Sequence, residues 1–210
     1  MNILVTGAAG FLGRRLIQAL LERGSLTDRH GQLRPIQRIT AFDRDPVQGL
    51  DDPRVQVKGG DITDPQVLAN LIDANTQGIF HLAAVVSSQA ESDFDLGMRV
   101  NFSATQGLLE RARQLGTCPK WVMTSSVAVF GGQLPDTVGD DQVWSPQSSY
   151  GTQKAMNDLL LADYSRRGFV DGRSLRMPTI VVRPGKPNLA ASSFASGIIR
   201  EPLNGQASVC

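Results

Sequence analysis

The chain has 210 residues, of which 41% are hydrophobic and 20% charged, with a formal net charge of +1. That composition fits a soluble globular domain with a full core, or one domain plus a small lobe, and excludes a disordered chain. The near-zero charge gives no electrostatic basis for binding nucleic acid or an anionic membrane, and no apolar run is long enough to span a bilayer.

Residues 2–6 predict a short buried strand, with no basic stretch ahead of it of the kind a signal peptide carries. Phe11, Leu12, Leu16, Ala19 and Leu20 recur at helical spacing and predict a helix from Phe11 to Arg23, with Gly24 as its stop. A polar, Arg-rich stretch from Ser25 to about Gln37 is longer than most such connections and is expected to be an exposed excursion. Ile39 to Phe42 predict a second strand ending at Asp43, and Val55 to Val57 a third. Asp64-Pro65 has the form of an N-cap followed by proline at the first helical position, opening a helix to about Ala74. A fourth strand is expected over 78–82, a long helix over 96–115, a fifth strand over 120–124 and a helix over 149–167. Leu175 to Val182 predict a sixth strand, interrupted by Pro178. Alternating strands and helices imply an α/β fold: a Rossmann-type doubly wound parallel sheet with right-handed crossovers. From Arg183 the texture changes to Pro, Gly, Ser and Asn. Residues 1–182 therefore read as a Rossmann domain and 183–210 as the beginning of a substrate lobe, incomplete at Cys210. The two cysteines, Cys118 and Cys210, lie far apart and in no metal-ligand spacing, so no metal is expected and a reduced, cytoplasmic setting is the default.

The chemistry-bearing residues fall at strand ends. Gly7, Gly10 and Gly13 sit between the first strand and the first helix, in the context that a dinucleotide-binding loop requires. Gly7 allows the tight turn, Gly10 lets the backbone approach a pyrophosphate, and Gly13 lets the helix pack closely. The helix N-terminus at Phe11 and Leu12 then offers free N–H groups to the phosphates. Asp43 can accept hydrogen bonds from ribose hydroxyls and repels a 2′-phosphate, which favours NAD; Arg44 beside it is of the type that accommodates NADP. One of the two tyrosines stands four residues before a lysine in Tyr150-Gly151-Thr152-Gln153-Lys154, so the two share a helix face. An ammonium near a phenol favours the phenolate, which can then take a proton from a substrate hydroxyl near neutral pH. Ser126, at the end of the fifth strand, can hydrogen-bond the reacting oxygen there or merely cap the loop. His81 has two readings, a base or a packed strand-end histidine; Ser87, Ser88 and Gln89 are substrate contacts or ordinary loop.

Taken together these residues resemble the extended short-chain dehydrogenase/reductases, the group containing nucleotide-sugar epimerases. The resemblance covers essentially the whole chain and implies that Asp61 and Ile62 contact the adenine, that the backbone at Ala83 and Ala84 passes the cofactor, and that Pro184 passes the nicotinamide. It implies Ser126, Tyr150 and Lys154 as the catalytic group, with Asn101 supporting them from its helix; Phe130 departs from the tyrosine common at its position. The segment from Val182 to Phe194 departs from the nucleotide-sugar members and resembles a branch that oxidises C2 of a four-carbon sugar acid with NAD. For such a substrate Lys186 or Arg200 can pair with the carboxylate, and Ser87, Asn188, Ser192 and Ser193 can bond hydroxyls. The family also implies a homodimer through the helices near 96–115 and 149–167, the second of which carries Met156, Leu159, Leu160 and Leu161. Two other readings use the same residues: an epimerase or dehydratase that retains NAD between turnovers, and a non-enzymatic dinucleotide sensor. Sensors commonly lose the tyrosine or the lysine, and this chain keeps both.

Overall fold

The computed structural model describes residues 1–182 and 193–208. In chain order its strands are β1 (Asn2–Thr6), β2 (Ser25–Thr27), β3 (Leu33–Pro35), β4 (Arg38–Asp43), β5 (Val55–Gly59), β6 (Thr76–His81), β7 (Lys120–Ser126) and β8 (Asp171–Met177). The helices are α1 (Phe11–Arg23), α2 (Pro65–Leu71), α3 (Ser87–Ser92), α4 (Phe94–Gly97), α5 (Ala104–Leu115), α6 (Ser149–Arg166) and α7 (Phe194–Leu203).

Six strands form one sheet in the order β5-β4-β1-β6-β7-β8, every pairing parallel. β1 is central, and its side chains alternate between two cores as a period of two demands. Ile3 and Val5 join Ile17, Leu20 and Ile39 on the face covered by α1, while Leu4 joins Ile79, Leu108 and Trp121 on the face covered by α2, α5 and α6. The chain winds outward one way through β4 and β5, then returns to β6 on the other side of β1. Where the winding reverses, the carboxyl ends of β1 and β6 part and leave a crevice, the usual place for a ligand in such a sheet.

Several expected boundaries shift, each for a local reason. The excursion over 25–37 is exposed but ordered: β2 and β3 pair antiparallel, and the Asp28 carboxylate closes their turn by accepting the N–H groups of His30 and Gln32. Asp64 does cap α2, accepting the Gln66 N–H at 2.8 Å, but the helix stops at Leu71. Asp73 diverts the chain by accepting the Asn75 N–H and the Thr76 hydroxyl. The segment after β6 forms the short α3. The long helix expected over 96–115 begins at α4 and passes through a π-helical turn, Met98–Ser103, before α5. The last strand begins earlier than its apolar run suggests and ends at Met177. Pro178 brings no N–H to a ladder, and an edge strand can be polar on one face. On α6, Leu161 is in the core and Leu160 packs against it, whereas Leu159 is exposed. The expected domain boundary near 183 falls outside the described residues.

Candidate functional site

A cleft of about 710 Å³ opens at the carboxyl ends of the central strands. Its base is the glycine loop, with Gly7, Gly10, Phe11, Leu12 and Gly13 all lining it. Gly7 has φ +74°, and a Cβ there would come within 2.8 Å of the Ala83 nitrogen, so only glycine lets this turn lie against the end of β6. A Cβ on Gly13 would approach the Gly7 carbonyl oxygen to 2.1 Å. The close approach at Gly13 is thus between helix and loop rather than helix and sheet. Gly10 is the N-cap of α1 and supplies no side chain to the first-turn N–H groups, which leaves them to an anion.

Asp43 ends β4 and braces the loop: one carboxylate oxygen accepts the Ala9 N–H at 2.8 Å and the other accepts the Asp45 N–H at 3.0 Å. A carboxylate has about four acceptor sites, so capacity remains for two ribose hydroxyls. The exposed Arg44 lies 3.8 Å from Asp45. A bare helix N-terminus, a carboxylate fixed beside it and a cleft of this volume fit a dinucleotide. Asp61 uses its carboxylate in a local turn, accepting the N–H and hydroxyl of Thr63, which hold its pKa below the ordinary value. The Ile62 side chain belongs to the core. Neither lines the cleft. Ala84 does, whereas Ala83 packs against the core and donates its N–H to Thr6 Oγ1.

The opposite wall carries Ser126, Tyr150 and Lys154. Ser148 caps α6, its hydroxyl accepting the Gly151 N–H at 3.1 Å, and so sets Tyr150 in the first turn at the cleft. One turn on, Lys154 is 5% exposed, donates to the Thr124 carbonyl at 2.7 Å and lies 5.6 Å from the Tyr150 ring centroid. Burial pulls its pKa down to about 8, opposed by the negative charge of Asp158. Ser126 Oγ accepts the Ala128 N–H while lining the cleft, so capping and a ligand-facing position coexist. Ser87, at the start of α3, also lines the cleft.

Other expected site residues lie behind the cleft, away from it or outside the described residues. Asn101, expected to support the site from its helix, lies behind the cleft: its amide bonds the backbone of Val85 in both directions and donates to Gln153 Oε1 at 2.8 Å. A side chain so placed holds the post-β6 loop against α6 and is a positioning residue. Its position in a π turn matches the frequent use of such turns near functional sites. Arg200, on α7, is 8% exposed, pairs with Glu201 and is not among the residues lining the cleft. Pro184, Lys186, Asn188 and Ser192 lie outside the described residues.

Sequence reasoning missed a charged cluster behind Lys154. The Asp158 carboxylate accepts the Ser125 hydroxyl at 2.9 Å, the Ser174 hydroxyl and Arg176 Nε at 3.3 Å. Arg176 in turn lies over the Trp144 ring, 4.2 Å from its centroid, and 5.5 Å from the Phe130 ring centroid. Asp158 was legible as the next helical turn after Lys154; Arg176 was not, since only strand pairing brings it there. His81 is a packed histidine, held between Thr6 and Thr105, with burial drawing its pKa down to about 3.

A family model described as the NAD dependent epimerase/dehydratase family matches residues 3–210. The chain is 63% identical over 210 residues to D-erythronate dehydrogenase of Cupriavidus necator, covering 100% of this chain and 64% of that protein. It is 47% identical over 211 residues to D-erythronate dehydrogenase of Haemophilus influenzae, with the same two coverages of 100% and 64%. Among solved structures, the nucleoside-diphosphate-sugar epimerase from Agrobacterium tumefaciens matches with a TM-score of 0.91 and 46% identity, over 100% of this chain and 62% of that one. The chain thus spans less than two thirds of the length of these relatives.

Proposed function

The chain belongs to the NAD dependent epimerase/dehydratase family, and from that premise we propose that it works as an NAD-dependent oxidoreductase acting on the C2 hydroxyl of a small sugar acid, D-erythronate. The observation that carries the reading is one wall of the cleft. There the buried Lys154 ammonium sits 5.6 Å from the Tyr150 ring, opposite the glycine loop and beside Ser126. The substrate rests on similarity to two proteins named D-erythronate dehydrogenase.

Tyr150, as phenolate, takes the proton of the C2 hydroxyl. Lys154 favours that phenolate by its charge, and its own place is set by the Thr124 carbonyl. Ser126 donates to the substrate oxygen and steadies its developing charge. NAD, when bound, supplies the two-electron acceptor for the C2 carbon, and the product is the 2-oxo acid. Asp43 favours NAD over NADP because its fixed charge opposes a 2′-phosphate. Pairing of two copies through α5 and α6 belongs to the same proposal, with Leu159 as the exposed apolar contribution from α6.

The test is a spectrophotometric screen of NAD and NADP reduction with four-carbon sugar acids. D-erythronate with NAD is expected to give net NADH; no reduction with any 2-hydroxy acid would refute the substrate assignment. The 46% identity to a protein named as a nucleoside-diphosphate-sugar epimerase favours one alternative, epimerisation with retained NAD. Net NADH formation would exclude it, and copurifying, non-exchanging NAD would support it.

A further inference from the structure

Between the strand that leads into the glycine loop and the helix that bears Tyr150 lies a continuous buried chain of polar groups. Thr6, the residue before Gly7, is 0% exposed, and its Oγ1 lies 2.7 Å from His81 Nδ1. His81 Nε2 lies 2.9 Å from Thr105 Oγ1, and Thr105 donates onward to the Asn101 carbonyl at 2.8 Å. That carbonyl also accepts Asn157 Nδ2 at 2.7 Å, while the Asn101 side chain donates to Gln153. Gln153 and Asn157 are on α6, on either side of Lys154 in sequence.

Counting hydrogens assigns the imidazole. Thr6 Oγ1 accepts the Ala83 N–H and shares the Leu82 N–H with the Thr6 carbonyl. Its own hydrogen therefore goes to His81 Nδ1, which must be an acceptor. Thr105 has one hydroxyl hydrogen and gives it to the Asn101 carbonyl. His81 Nε2 must then be the donor toward Thr105. The reverse tautomer would ask Thr6 to accept a third hydrogen and leave its own without a partner. An imidazolium would do the same and add a charge to a site that burial already disfavours.

The geometry points to His81 as a positioning residue that, as its neutral Nε2–H tautomer, ties the glycine-loop strand to the helix carrying Tyr150 and Lys154. The inference rests on the functional reading above, in which that loop and that helix are two halves of one site. Every link in the chain has a single hydrogen direction, so it holds one register between β1, α5 and α6. Cofactor binding and proton transfer are thereby coupled through groups that touch neither ligand.

The wild-type chain, labelled with ¹⁵N-histidine, tests the wiring through ¹H–¹⁵N correlation spectra between pH 5 and 8. The chain has two histidines, and the exposed His30 gives the reference signal. His81 is expected to keep the neutral Nε2–H pattern throughout; an Nδ1–H pattern, or titration of His81 in that range, would overturn the assignment. The coupling is tested with Thr105→Val, which removes the acceptor at a residue outside the cleft lining. It is expected to weaken NAD binding by calorimetry about fivefold and to lower kcat by a similar factor. A variant with a lower Tm but with NAD affinity and kcat unchanged would reduce the network to packing and overturn the coupling. If the parent chain binds no NAD, the functional reading fails and takes the coupling with it; unchanged binding in the variant removes the coupling alone.

Discussion

Helix α6 has a neutral side and a charged side, and the two solve burial differently. On one side Gln153 and Asn157 join Thr6, His81, Thr105 and Asn101, all uncharged and all under 6% exposed. On the other, Lys154 and Asp158 meet Arg176 and two serine hydroxyls. The neutral cluster leaves two of its atoms, Gln153 Nε2 and Asn157 Oδ1, without a hydrogen-bond partner among the described residues. A neutral group can bear that at a cost of about 1–3 kcal/mol. The buried carboxylate cannot, and both its oxygens are engaged. Rigidity is therefore assembled from neutral groups, and the charged groups gather behind Lys154.

The comparison breaks most visibly at Tyr150. Tyr150→Phe is expected to lower kcat about a thousandfold, roughly 4 kcal/mol of barrier. It should leave the urea midpoint close to that of the parent, because the ring and its packing remain. A loss below tenfold in NADH formation would remove the tyrosine from the proton path. Next in size is Asp158→Ala. Its side chain is 3% exposed, and its removal strips Arg176, Ser125 and Ser174 of their acceptor. We expect a loss of about 3 kcal/mol in urea unfolding. The variant's Lys154 pKa should also fall further, since Asp158 is the group that raises it.

The two sides also differ in where they titrate. Burial draws the folded His81 pKa down to about 3, against 6.5 for a free imidazole. Between those values the unfolded chain holds more protons, so stability falls as pH falls, by roughly 1.4 kcal/mol per unit at its steepest. Carboxylates titrate mostly near pH 4, so the window from about 6.5 to 5 isolates the imidazole. His81→Asn should flatten the slope of unfolding free energy there. A slope equal to the parent's would mean that His81 is not the group responsible. Lys154 acts on the alkaline side with the same sign. Its folded pKa of about 8 lies below 10.5, so the unfolded chain holds the extra proton between them and stability rises with pH over that window.

Much of the site could be read before any coordinates because it depends on local order. The glycine spacing after a strand, the Asp64-Pro65 helix start and the four-residue step from Tyr150 to Lys154 are properties of neighbours in sequence, and each corresponds to an observed element. What stayed hidden depends on distant pairing. Arg176 reaches Asp158 because β8 pairs with β7 in a register that sets Arg176 beside Ser125. The polar stretch Asp171-Gly172-Arg173-Ser174 did not read as strand because an edge strand need not be apolar on both faces. A packed His81 was one of two readings, but its partners were hidden for the same reason: they are 75 and 24 residues away. The turn at Asp28 was legible in principle, since an aspartate accepting N–H groups two and four residues on is local chemistry, but it was masked by the long polar composition around it.

The smallest expected effect tests how far the charged side extends. Arg176 lies over the Trp144 ring, 4.2 Å from its centroid, with its Nε on Asp158 at 3.3 Å. Its side chain is 30% exposed, so water screens the contact with the ring partly but not fully. An exposed cation–π pair contributes about 0.5–1 kcal/mol. Trp144→Ala should therefore cost no more than about 1 kcal/mol beyond the apolar area it uncovers, well below Asp158→Ala. Non-additivity carries the argument further. If the contact of Trp144 with Arg176 acts only by holding Arg176 against Asp158, adding Trp144→Ala to Asp158→Ala should cost only the apolar area it uncovers. Full additivity in urea unfolding would mean that the 130–148 loop is held independently, and the charged side would then end at Arg176.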